Sequence, residues 1–491
     1  MNSTAISFIT YLILFIPLLC GVLTFFLQKP FLRNVLSITA SLLLFFNVMN
    51  FLMLAMRGMA RGVTLVEFAP NLSIMFLADP LSALFMLVSS LLWVVTTFYA
   101  IGYMRANKEA HLSRFYGFFA LSLFATMGIA LAGNLFTLFI FYELLTLFTY
   151  PLVVHSGTEE AKRAGRTYLY ILLGTSMAFL LPAVLWTWYV AGSLNFEPGG
   201  VLAGKASPLV TGILLALYVF GVSKAAVMPF HRWLPAAMVA PAPVSALLHA
   251  VAVVKAGVFT LLKVVVYIFG TSNLLMLSRQ EPWVSNWMVY VAGVTVVLAS
   301  LKALRQGALK LRLAYSTVSQ LSYIVMATAL STKTAIMAAC FHIVAHACSK
   351  ITLFFAAGSI YTAQHKSNVS EMRGIGRTMP FTMAAFTVGA LAMIGIPPTV
   401  GFLSKFYLSK GAFESEHYFA VLVIFVSTLL NAAYFLPIIH QAYFLPPREK
   451  SVMKEAPAIM VFANLFVAFL VIVLFFVPDT FVWLSKLVAG E

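Results

Sequence analysis

The chain has 491 residues, 62% of them hydrophobic and 9% charged, with a mean hydropathy of +0.97. That is more apolar side chain than a soluble core of this length can hide, so the composition excludes a soluble globular protein and predicts a polytopic membrane protein. Lysine and arginine number 31 against 15 acids, but the bases stand singly in short loops, without the basic stripe and interleaved aromatics of a nucleic-acid partner.

A spanning helix needs about 20 mostly apolar residues, and on that ruler the chain divides into about fourteen spans. They lie near 6–27, 33–56, 80–103, 115–132, 135–155, 165–191, 208–231, 241–269, 285–304, 313–330, 334–362, 380–408, 417–445 and 456–484. The first lacks a positive leader and a small-residue cleavage site, and is expected to be a retained span rather than a signal peptide. No linker or charge block long enough to make a soluble domain interrupts the series, which predicts a single all-α transmembrane domain over 1–491. Loops after odd-numbered spans carry nineteen bases; the opposite loops and the termini carry seven. Cytoplasmic loops hold the excess of Lys and Arg, so both termini are expected outside a cell (inner) membrane. Cys20, Cys340 and Cys348 sit in apolar segments with no C-x-x-C spacing, an arrangement that suits neither a disulfide nor a metal cluster.

Ionisable residues inside such spans cost several kcal/mol and mark function by default. Asp79, just before Pro80 at the mouth of the third span, reads as a helix N-cap. Glu143 lies eight residues into the fifth span, about 12 Å from its start. Isolated at that depth a carboxylate takes up a proton unless a cation lies nearby, and the lysines are the natural partners. A static ion pair is the competing reading.

Lys224 lies in the seventh span just ahead of Ala225-Ala226-Val227-Met228-Pro229-Phe230-His231-Arg232-Trp233-Leu234-Pro235. Proline removes a backbone donor and clashes with the preceding turn, so the helix is expected to break there. Such backbone is tolerated in a membrane only when buried in protein or lining a wet cavity. A lysine at a break, free to change its distance from Glu143, has the makings of a proton switch. On the eighth span His249 precedes Lys255 by six positions, roughly 600° of helical rotation, so the two line a cavity at different depths; a packing histidine is the bland reading of His249. Lys263 is expected to snorkel from the end of that span to the interface.

His342, His346 and Lys350 recur at i, i+4 and i+8 on the eleventh span, one slowly turning stripe. Groups about 6 Å apart along an axis suit a proton relay. Two such histidines could share a metal, but no third ligand lies on the helix, so no metal site is predicted. The twelfth span contains Gly395-Ile396-Pro397-Pro398 and is expected to break as the seventh does, with Lys405 beyond the break towards the outer side. No haem, flavin, quinone or nucleotide signature appears, so no cofactor is expected. Hard cations want several oxygen ligands, and one deep carboxylate does not supply them.

Several of these elements fit one pattern: Asp79-Pro80-Leu81-Ser82, Tyr142-Glu143, Lys224 with 229–235, Ala240 to Gly257, Leu313-Ala314-Tyr315-Ser316, His346 to Lys350 and Gly401 to Lys405. Over about 80–440 the chain resembles the proton-conducting antiporter-like family shared by Mrp-type Na⁺/H⁺ antiporters, complex I and membrane-bound hydrogenases. The resemblance implies fourteen helices, with two inverted five-helix repeats over about 115–269 and 285–445, helices 1–3 over about 6–103 ahead of them, and the last helix at 456–484. It implies that Glu143 gates Lys224, that Lys255 and the His346–Lys350 region relay protons, and that Lys405 is the terminal lysine. The size of the chain and the lysine at 405 most resemble the D component of Mrp-type antiporters, with complex I-like NADH:quinone oxidoreductase and hydrogenase arms as the alternative. Other membrane subunits of the same complex would supply the coupling and any Na⁺ path. Where the family commonly has Asp-Leu-Lys-Arg before the Leu-Ala-Tyr-Ser element, this chain has Ala308-Leu309-Lys310-Leu311-Arg312.

Overall fold

The computed structural model describes residues 3–55, 62–69, 72–77, 79–447 and 453–490. Arg57, Arg61, Arg448 and Lys450, four of the bases counted above, lie outside the described residues. Twelve described helices are long and apolar enough to cross a membrane, and two shorter apolar ones, Pro208–Gly221 and Pro380–Ile394, begin the interrupted spans. Together they occupy the fourteen predicted positions. The all-helical answer follows from the solvent, because a chain in hydrocarbon must satisfy its backbone donors and acceptors internally.

Local chemistry sets the helix starts. Asp79 accepts from the Ser82 backbone N–H at 2.8 Å with Pro80 at the first helical position. Asn134 accepts from Thr137 and Thr158 from Ala161 in the same way. Such caps satisfy donors that have no intrahelical partner.

Two spans occupy the middle. The most apolar windows of Ala242–Phe269 (eighth) and Lys333–Gln364 (eleventh) are 100% buried, whereas Ser7–Phe26 (first) and Ala458–Phe476 (fourteenth) are 39% and 33% buried. The eighth and eleventh spans are therefore pillars that meet protein on every side, and the outer spans present the rest of their surface to lipid. The interrupted seventh and twelfth spans hold the fourth place in the successive five-span runs 4–8 and 9–13.

Both predicted breaks are present. The seventh span stops at Gly221, makes a 3₁₀ turn over Ser223–Ala225 and resumes as a short helix at Trp233–Ala236. The twelfth stops at Ile394, with Gly395 at φ +91°, and resumes as Val400–Glu414.

Four features differ from the expectation. A two-stranded antiparallel hairpin, Val63–Ala69 with Leu72–Phe76, lies between the second and third spans. It is tied to the turn between the fourth and fifth spans by Gly133 N–H to Met75 O (2.8 Å) and Leu77 N–H to Leu131 O (2.7 Å). A short helix, Thr271–Gln280, follows the eighth span. The last predicted span is divided into Ala458–Phe476 and Asp479–Ala489 around Val477 and Pro478, since proline cannot continue the ladder. Bases assigned to loops also fall in first turns: Arg33 lies in Pro30–Ala55, 5.5 Å from the Tyr116 ring centre, and Lys310 and Arg312 lie in Leu309–Leu330. Arg312 donates to the Gln306 and Leu304 carbonyls that end the ninth span.

Candidate functional site: a buried row of lysines and histidines

The break after Gly221 places Lys224, fully buried, against the fifth span (Leu135–Val153). Its Nζ donates to the Tyr142 carbonyl (2.8 Å) and the Thr146 hydroxyl (2.7 Å) and lies over the Tyr142 ring. Its backbone N–H donates to the Tyr142 hydroxyl at 3.2 Å. Gly257 of the eighth span holds this turn in place, for a Cβ there would run into the backbone of Lys224 and Ala225.

Glu143 is one residue from that carbonyl, yet the pair is open. The ion pairs formed among the described residues do not include Glu143 with Lys224, and both Glu143 carboxylate oxygens are buried without a hydrogen-bond partner. Lys224 and Ser176, the latter in a π turn of the sixth span, are its polar neighbours. A buried oxygen left unpaired costs about 1–3 kcal/mol, more when charged.

The eighth and eleventh spans are joined by a direct contact of Lys255 Nζ with His346 Nδ1 at 2.7 Å. A protonated Lys255 donates to Nδ1, so the ring carries its own proton on Nε2. His342 lies one turn away, with 6.1 Å between ring centres, and its Nδ1 meets the Ser404 hydroxyl at 2.9 Å. Lys350 donates to Leu313 O (3.1 Å) and to Ser316 Oγ (2.8 Å), which also takes a bond from the Tyr434 hydroxyl. Lys405 donates to Ile394 O (2.8 Å), a carbonyl freed by the break, and to Thr428 Oγ1 (3.3 Å). Of the predicted residues, Lys255 and His346 thus bond each other directly, and His342 lies one turn from His346 and reaches Ser404, the neighbour of Lys405. Lys350 and Lys405 are held by residues outside the predicted set, and His249 stands apart. Neither of its ring nitrogens has a hydrogen-bond partner among the described residues, and its ring packs on Phe354 at 4.7 Å.

Lys263 does not snorkel. It is fully buried, pairs with Asp79 at 3.0 Å and donates to Ala132 O at 2.8 Å. The eighth span runs on to Phe269, six residues past Lys263, so its ammonium is enclosed by protein rather than at the helix end, and Asp79 serves it as well as capping the third span. The sequence does not announce the hydroxyls that hold the lysines, Thr146, Ser316 and Thr428, or the electrostatic neighbourhood of Lys310 and Glu109. Ser316 sits within the Leu313–Ser316 motif already singled out, and Thr146 lies three residues past Glu143, outside any motif; Thr428 and Glu109 carry no local signal.

A family model for the transmembrane region of NADH:quinone oxidoreductases and Mrp antiporters matches residues 132–431. A second, for the N-terminus of complex I chain 5, matches 67–116. NADH-quinone oxidoreductase subunit N of Desulforudis audaxviator (strain MP104C) is 33% identical over 423 residues, 82% of each chain. The chain spans a smaller part of other curated relatives: 47% of a chloroplast NAD(P)H-quinone oxidoreductase subunit 5 from Zygnema circumcarinatum, 31% identical over 67% of this chain, and 38% of the A/B component of a probable K⁺/H⁺ antiporter from Rhizobium meliloti (strain 1021), 32% identical over 78%. Among solved structures, a chain of the membrane-bound sulfane sulfur reductase, an archaeal respiratory membrane complex, superposes with a TM-score of 0.85 at 25% identity, covering 99% of this chain and 97% of that one. A chain of the Mrp complex from Dietzia sp. DQ12-45-1b gives 0.86 at 24% identity with the same coverage, a likeness of fold. With a family model matched over most of its length, this chain belongs to the NADH:quinone oxidoreductase/Mrp antiporter family of antiporter-like membrane subunits.

Proposed function

We propose that the chain is the proton-translocating subunit of a multisubunit membrane complex, nearest to the D component of a Mrp-type Na⁺/H⁺ antiporter. The observation that carries this reading is the 2.7 Å contact of Lys255 with His346, which links the first five-span run to the second inside a row of buried ionisable groups. Ionisable residues inside membrane spans are costly and mark ion and proton pathways by default.

In this reading protons enter near Lys255 or Lys224, pass the His346–Lys350 stripe with its neighbour His342, and exchange at Lys405. His249 serves the entry side. Glu143 sets the charge of Lys224: with Nζ on the Tyr142 carbonyl the pair is open, and turning Nζ towards the unpartnered carboxylate closes it. Other membrane subunits couple this movement to the driving ion. In the assembled complex, reconstituted into vesicles, Glu143→Ala and Lys224→Ala should each cut pH-gradient-linked transport by at least about tenfold, since charge-coupled groups act as a unit. Undiminished transport with normal assembly would remove the mechanism.

The likeness to the quinone oxidoreductase subunit N over 82% of both chains favours a second reading, an antiporter-like arm of a complex I-like NADH:quinone oxidoreductase or a membrane-bound hydrogenase or formate hydrogenlyase. There the same row is driven by electron transfer in other subunits. The complex purified with its native partners separates the two: flux that follows an imposed Na⁺ gradient supports the antiporter, and flux that needs an electron donor supports the respiratory arm.

A further inference from the structure

A cavity of 240 Å³ opens on the base-rich loop face between the ends of the third, eighth, tenth and eleventh spans, lined among others by Tyr103, Glu109, Ala242, Lys310, Gly358 and Ser367. Its floor is tight. A Cβ on Gly358 would meet Ala242 and the hydroxyl of Tyr99, so the third, eighth and eleventh spans touch just beneath it. His249 lies seven residues inward of Ala242 on its span, and Lys350 the same number inward of Ala357, each about 10 Å along the axis.

Glu109, in the turn between the third and fourth spans, is the acid of this cavity. Its Oε2 lies 3.9 Å from His155 Nε2, and its side chain is 27% exposed, open to solution yet held. Lys310 faces it while its Nζ donates to Ala240 O at 2.5 Å. Ala308 leaves no acid in the first turn of the tenth span, and among the described residues Glu109 is the carboxylate that acts on Lys310. The other groups around it are His111 and Lys108 of its own turn, Arg114, which donates to the His155 carbonyl at 2.8 Å, and Tyr103, Tyr361 and Lys366 on the cavity wall.

We propose that Glu109 is a proton-collecting group: its carboxylate takes a proton from solution at the loop face and passes it through this cavity towards His249 and Lys350, returning to the carboxylate for the next. Three observations converge on it. The acid is partly exposed at the mouth, the cavity behind it ends at the two central pillars, and both ring nitrogens of buried His249 lack a hydrogen-bond partner among the described residues beyond the floor. Burial also lifts the Glu109 carboxyl above the usual carboxylate range against the pull of Lys310, which favours holding a proton nearer neutral pH.

The inference rests on the transport reading, and the test separates the two. With the whole complex in vesicles, Glu109→Gln should slow initial proton flux about fivefold at about pH 8.5, where proton supply limits, and less than about twofold near pH 6. Imidazole added on the loop side is small enough for the cavity and should restore the alkaline rate, while Glu109→Asp should keep most of it. If the glutamine variant fails to assemble, Ser367→Trp, which fills the mouth, should give the same alkaline-selective loss. Equal fractional loss at every pH without rescue, or no loss at all, overturns the inference. Wild-type complex without proton flux would remove the transport reading and this inference with it; flux abolished by Lys224→Ala but indifferent to Glu109→Gln removes this inference alone.

Discussion

The buried lysines divide by the company they keep. Lys224, Lys350 and Lys405 each donate to one backbone carbonyl and one side-chain hydroxyl, and none of the three has a carboxylate in contact among the described residues. A hydroxyl accepts from an ammonium and donates to an amine, so these sites can hold the lysine in either protonation state. Lys263 also donates to a carbonyl and a hydroxyl, Ala132 O and Ser82 Oγ, but differs in adding a carboxylate, Asp79, at 3.0 Å. The contrast is measurable on both sides. Thr146→Val, which keeps the volume and removes the hydroxyl, should slow proton flux about tenfold while unfolding free energy falls by only about 0.5–1.5 kcal/mol, the worth of one hydrogen bond; flux kinetics and thermal unfolding of the same sample check it. Lys263→Met should instead destabilise by about 3–5 kcal/mol by stranding a charge, and adding Asp79→Asn should recover much of that loss in thermal unfolding in detergent.

At the scale of elements, side chains answer the carbonyls that the breaks release. Trp233 Nε1 donates to Ser223 O at 2.9 Å, and Asn431 Nδ2 to Met393 O at 3.3 Å. Close backbone approach then fixes the broken spans, through Gly257 against Lys224 and through Gly401 against Ala392. Gly257→Ala should therefore displace Lys224 from the fifth span and lower both flux and thermal stability, with Gly401→Ala doing the same for Lys405. A wild-type melting curve for both would refute the packing argument. The spans and breaks were legible because hydrophobic length and proline act locally: Pro229 and Pro397 announce their interruptions in the sequence itself. The 63–76 hairpin was not, since a short paired connection carries no spanning signal and leans on a turn about sixty positions away. Nor was the Asp79–Lys263 pair or the open geometry of Glu143. A sequence reports how deep a charge lies, but the direction it points depends on helices packed from far along the chain.

The whole molecule sets its acidic limit at the loop face and its order of assembly at the centre. Burial, with Arg114 and His111 close by, pushes His155 down to about 4. The unfolded chain takes up that proton near pH 6.5 and the folded one only near 4, so stability falls with pH across this window and levels off below it. His155→Gln should flatten the loss of melting temperature between about pH 7 and 5; an unchanged slope would assign the acid sensitivity elsewhere. The contact of Lys255 with His346 has a further consequence, one for biosynthesis. The two residues are 91 positions apart, so at about 5–20 residues per second the lysine leaves the ribosome roughly 5–20 s before its partner exists. A lysine at the centre of a helix raises the free energy of insertion by about 2.5–3.5 kcal/mol. A nascent chain truncated before the eleventh span should therefore hold its eighth helix poorly in the bilayer, and the two pillars are best delivered to lipid together, late, as a pair.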